Sequence, residues 1–84
     1  MLKVQRTGDG EVVFVVSGRL YADNLGELAA VLDAADALDL ADLILADADA
    51  IRFLCDCERD GIELRNCPPY IRTLIIRTKG ARRD

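Results

Sequence analysis

The stretch ALDLADLILADADAI, residues 37–51, decides how the chain folds. Leu38 and Leu40 alternate with Asp39, the two-residue period of a strand, while Leu43, Ile44 and Leu45 form a continuous apolar run whose period is undefined. We read 37–40 as a short strand and 41–46 as an apolar connection folding over the core. Beyond it the period lengthens to that of a helix, with Ala50, Phe53, Leu54 and Cys57 on one face and Asp56 and Arg59 on another, ended by Gly61. Asp47 and Asp49 therefore stand where a strand hands over to a helix.

On the N-terminal side, LKVQR alternates, TGDG is a turn cluster and EVVFVVSG is a β-branched run, together an antiparallel hairpin. Apolar residues at every position from 12 to 16 put the second strand in the middle of a sheet. Leu25, Leu28, Ala29 and Leu32 then mark one face of a helix, with Asn24 and Glu27 spaced as a capping box and Asp23 near the positive end of the helix dipole. On the C-terminal side, GIELRNC alternates as a strand. CPPYIRTLIIRTKG has prolines at a helix start and Ile71, Leu74 and Ile75 as its buried stripe. The order ββαβαβα predicts a single α/β domain over residues 1–84. Right-handed crossovers give a mixed β-sheet with helices mainly on one face.

Eighty-four residues hold one core and little else. No apolar run approaches a membrane span, and the start MLKVQRTGDG lacks a secretory apolar segment, so a cytoplasmic protein is expected. Three cysteines, Cys55, Cys57 and Cys67, fit reduced, packed thiols better than a disulfide framework. The net charge of −4 is unevenly spread: residues 23–60 carry eleven acidic side chains against Arg52 and Arg59. An acidic middle argues against nucleic acid as a partner, and the basic stretch 77–84 reads as a solvated, fraying tail.

The chain has no histidine, one serine, and neither a GxxxxGK[ST] nor a GxGxxG loop, so no nucleophile and base can be paired and no enzyme is expected. Asp47 and Asp49 are the nearest carboxylate pair. The positive end of a helix dipole favours ionised carboxylates, where acid catalysis needs one kept protonated. Cys55 and Cys57 on one helix point about 200° apart and cannot share an ion, so neither a metal site nor a cofactor is expected. What remains is acidic helix starts, Asp23 and Asn24 at one and Asp47 and Asp49 at the next, emerging at one sheet edge, where open α/β sheets present their partner surface.

Two segments carry a family resemblance. VVSGRLYADNLGELAAVL resembles the second strand and first helix of STAS domains, the family of bacterial anti-sigma factor antagonists and of sulfate-transporter cytoplasmic domains. ALDLADLILADADAI is similar to that family's strand-to-helix segment, which runs LDLSGV and then D-S-S-G-L. The resemblance, over about residues 2–76, implies a non-enzymatic regulatory module that works in partner switching and transcription regulation by binding a protein. The implied partner is an anti-sigma factor or a serine kinase of the histidine-kinase-like ATPase type. It further implies a contact surface of Asp23, Asn24, Asp47, Ala48, Asp49 and Arg52. Asp47 matches the family's aspartate, but Ala48 stands where the phosphorylated serine would be, Asp49 replaces the next serine and Ala50 the glycine. No phosphoacceptor is therefore expected at this site, and Asp49 gives it about one fixed negative charge where phosphate brings ~1.5 to 2. The connection DAAD is shorter than the family's. A truncated helix or strand is expected there, and self-association as a homodimer, a structural or assembly role, is the alternative function.

Overall fold

An eight-residue strand, β2 (Val13–Leu20), is the axis of the sheet. The structure, a computed structural model, describes residues 2–7, 10–32 and 35–81. β1 (Leu2–Thr7) lies antiparallel on one edge of β2, in register from Leu2 opposite Gly18 to Thr7 opposite Val13. On the other edge β3 (Ala37–Asp39) runs parallel to the first half of β2, Phe14 beside Leu38. β5 (Glu63–Arg65) runs parallel to β3 in turn. The helices are α1 (Leu25–Val31), entered through a 3₁₀ turn at Ala22–Asn24, α2 (Ala48–Arg59) and α3 (Pro69–Ala81). The fold is a small α/β domain with a mixed sheet, as the sequence predicts.

Residues 41–46 depart from expectation. Leu43–Ala46 is a strand, β4, parallel to the second half of β2, and not a loose connection. The cause is the length of β2: once β3 ends at Asp39, the N–H and C=O groups of its far half need a new partner. Asp39 Oδ1 accepts the Ala41 N–H at 3.0 Å and the Leu43 N–H donates to the Leu40 carbonyl at 3.1 Å, so the chain makes one tight turn and rejoins the same edge. The rejoined register is bulged. Gly18 sits beside Leu43 but Arg19 sits beside Leu45, which leaves Ile44 as the extra residue opposite a glycine at φ +95°. Leu43 and Ala46 reach the core while Ile44 and Leu45 stay exposed.

One core binds all three helices to the same sheet face: Phe14, Val16, Leu20, Leu38 and Leu64 from the strands, Leu28 and Leu32 from the first helix and its end, Leu54 from α2, Ile71 and Ile75 from α3. The helical stripes differ in detail from those predicted. On α2, Ile51 and Cys55 are buried and Phe53 is only half-buried, because α3 lies along that flank and Cys55 Sγ reaches the Ile75 carbonyl at 3.7 Å. Ala29 and Leu74 are exposed, at the margins of their stripes. The connection before Leu38 shortens both neighbours, leaving α1 seven residues and β3 three. Asp36 fixes the junction, its Oδ2 accepting the Val12 N–H and its N–H donating to the Val12 carbonyl, both at 2.8 Å. Within the basic stretch α3 runs to Ala81, and Lys79 pairs with Glu58 on α2. Residues 8–9 of the predicted hairpin turn, 33–34 of the DAAD connection and 82–84 lie outside the described residues.

Candidate functional site

Parallel β2 and β4 end together, Leu20 beside Ala46, so the segments that leave them share one rim. Asp47 knits that rim. Its backbone is extended, which turns its carboxylate onto the start of α2, and Oδ1 accepts the Ala50 N–H at 2.8 Å as an N-cap. Oδ2 accepts the Ala22 N–H at 3.0 Å, and its own N–H donates to the Leu20 carbonyl at 3.1 Å. One side chain thus satisfies orphan donors at the entrances of both helices. The bonds from Ala22 and then from Ala50 hold its carboxyl below the ordinary aspartate range.

The other predicted site residues fall around it. Ala48 and Asp49 form the exposed first turn of α2, and Asp49 pairs with Arg52 one turn on, on the solvent side. Asp23 is exposed beside Ala22. Asn24 is on the rim but does not cap with Glu27 as predicted. The helix begins one turn earlier, in the 3₁₀ segment, so Asn24 Oδ1 reaches back to accept the Tyr21 N–H at 2.8 Å while Nδ2 donates to the Arg19 carbonyl at 3.3 Å. The six residues are therefore brought to one end of the molecule. Two of them, Asp47 and Asn24, are bound up in holding the backbone, whereas Asp23, Ala48, Asp49 and Arg52 are open to solvent.

Sequence reasoning missed the apolar neighbours of this rim. Ile44 is 65% exposed and Leu45 42%, on a strand whose outer edge pairs with no other strand among the described residues. Tyr70, at the start of α3, donates its hydroxyl to the Ile44 carbonyl and lies exposed beside it, with Leu74 one turn along the same helix. The signal was the run Leu43, Ile44, Leu45: a strand backed by helices on one face cannot bury three consecutive side chains. Single exposed apolar residues are ordinary, but four clustered beside an acidic rim form a surface with both apolar and charged parts.

Among the described residues no group of three or more Cys, Asp or Glu side chains is placed to hold a metal ion, and no helix is long and apolar enough to cross a membrane. Cys55 and Cys57 are both buried, on opposite flanks of α2, one toward α3 and the other toward α1. Compared with protein-family models and with curated proteins, the chain matches none.

Proposed function

We propose that this chain is a STAS-like regulatory module that binds a protein partner in the cytoplasm through the N-terminal end of α2, without a serine switch at position 48. It acts in partner switching of the kind anti-sigma factor antagonists perform, and its partner is an anti-sigma factor or serine kinase of the histidine-kinase-like ATPase type. The observation that carries the reading is the Asp47 bridge, which joins the Ala22 and Ala50 N–H groups and fixes Asp23, Ala48 and Asp49 on one rim. Alanine at position 48 has no hydroxyl to modify, so the carboxylates of Asp23 and Asp49 set the charge of the contact permanently. Exposed Ile44 and Leu45 supply the adjoining apolar area that a protein contact needs at its centre.

Because Asp47 also holds the fold, the test substitutes its exposed neighbours. Asp23→Lys and Asp49→Lys, compared with the native chain in capture from the native cytoplasm, are expected to lose a captured histidine-kinase-like ATPase while keeping the native thermal transition. Capture of that ATPase unchanged by both substitutions would overturn the reading, as would stoichiometric phosphate on residues 45–51 after incubation with it. The second reading, an assembly domain that self-associates, is favoured by the outer edge of β4, which pairs with no strand among the described residues. Sedimentation decides it: a dimer dispersed by Ile44→Lys supports assembly, and a monomer across the accessible concentration range removes it.

A further inference from the structure

At the far end of α2 from the rim lies a groove of about 390 Å³ between α1 and α2. Its walls are the end of α1 and the segment after it, Ala29, Leu32 and Ala35, and the second half of α2 with its C-cap, from Phe53 to Asp60. Leu32, Phe53, Cys57 and Ile62 make an apolar floor, and Asp56 and Asp60 line the side. That volume falls in the range of small-molecule sites, which are largely apolar with a few placed polar groups.

The charge in the groove is one-sided. Among the described residues the carboxylates lining it belong to Asp56 and Asp60, and no lysine or arginine lines it. Arg59 bonds Asp56 at 3.0 Å from the exposed side of the helix, whereas Asp60 makes no ion pair among the described residues. The C-terminal ends of both helices, the negative poles of their dipoles, lie at this end, and the last turn of α1 carries no basic residue. Cys57 on the floor registers the same field: burial, then the Asp60 and Asp56 carboxylates, push its thiol up to about 11. Burial disfavours charge of either sign, but the share of the push that comes from the two carboxylates favours a cation.

We propose that this groove is a binding site for a small amphiphilic cation, an ammonium or guanidinium carried on an apolar body, whose body covers Leu32, Phe53 and Ile62 and whose charge meets Asp60. The site is separate from the rim and independent of the role assigned to it.

Titration of the ¹⁵N-labelled full chain with 2-phenylethylammonium, and in parallel with 2-phenylethanol and phenylacetate, tests this by amide chemical shifts. Saturable shifts confined to residues around Leu32, Phe53, Cys57 and Ile62 are expected, strongest for the ammonium, weaker for the alcohol and weakest for the carboxylate. For so small a probe a dissociation constant on the order of millimolar is expected. D60N should weaken the ammonium about three- to fivefold and leave the alcohol unchanged, as removal of one solvent-screened charge would. A29F, at an exposed position on the groove wall, should block all three. Shifts centred elsewhere, equal binding of phenylacetate, ammonium binding indifferent to D60N, or no saturation at tens of millimolar would each overturn the proposal. D60N preserves side-chain size, so it keeps the test decisive should A29F disturb folding.

Discussion

At the scale of the residue, two positions bear more of the architecture than their neighbours. Asp47 uses one oxygen for Ala50 and the other for Ala22. Asparagine keeps a single acceptor oxygen, so Asp47→Asn can hold one helix entrance and not both. A fall in Tm of a few degrees at pH 7 is expected. The pH dependence has a definite sign. The folded carboxyl titrates below its unfolded value, so its contribution is fully present above about pH 4 and is lost as pH falls through the folded value. Thermal denaturation of both proteins between pH 7 and pH 3 should show the gap closing on acidification; a constant gap would contradict the assignment. Gly61 is the second position. At φ +97° it follows the C-cap of α2, with its N–H on the Glu58 carbonyl and the Ile62 N–H on the Cys57 carbonyl, the paired bonds of a Schellman motif. A methyl group there would meet nothing within 4 Å, so Gly61→Ala tests conformational cost alone. Urea denaturation should register a loss of about 1–2 kcal/mol, with Gly61→Asn losing less because asparagine tolerates the left-handed region. Both ends of α2 were legible in the sequence, Asp47 as part of an acidic helix start and Gly61 as a stop. The bond from Ala22 to Asp47 was not, because it joins residues twenty-five apart whose meeting depends on the pairing of β2 with β4.

At the scale of the element, α3 shows which forces position a helix. Glu58 on α2 receives Arg72 through two contacts of 3.3 Å and also receives Lys79, and those cations, Lys79 foremost, hold its carboxyl below the usual range. The arrangement resembles a clamp, yet it lies in partly exposed surface where solvent screening limits an ion pair to about 1 kcal/mol. Ile75, buried completely beneath the same helix, is the stronger tie, since truncation of such a residue costs about 2–5 kcal/mol. Ile75→Ala should therefore destabilise the chain more than Glu58→Gln in urea, and only the Glu58 variant should lose its effect in concentrated salt. The opposite ranking would mean that charge, not burial, docks α3. The same helix explains why the sequence pattern of α2 was only partly readable. Helical spacing identified the element, but Ile51 and Cys55 are buried by a neighbour that arrives later in the chain. β4 was lost for a related reason. LILA has no alternating period, and its identity as a strand comes from the vacant half of β2, which is a tertiary fact.

At the scale of the whole molecule, α2 runs from the rim, fixed by Asp47, to the groove, bounded by the turn at Gly61. The antiparallel pairing of the first two strands, the mixed sheet and the placing of the helices mainly on one face were readable because each follows from local period and the handedness of crossovers. The groove was not, since the residues that line it, from α1, α2 and the segments that follow each, meet only through tertiary packing. Whether the ends act independently has a thermodynamic answer. Asp47 and Gly61 flank the twelve residues of α2, which at about 1.5 Å per residue separates them by roughly 20 Å, beyond the ~10 Å within which substitutions usually couple. They share no hydrogen-bond partner, Asp47 binding Ala22, Ala50, Ile51 and Leu20 and Gly61 binding Glu58. The double variant Asp47→Asn with Gly61→Ala should accordingly lose the sum of the two single Tm changes to within about 3 °C. A larger discrepancy would mean that α2 frays from both ends as one cooperative unit, so that a partner seated on the rim would also reshape the groove. Additive losses would mean that the two ends of α2 keep their structure through contacts of their own, so that a change at the rim leaves the turn at Gly61 as it was.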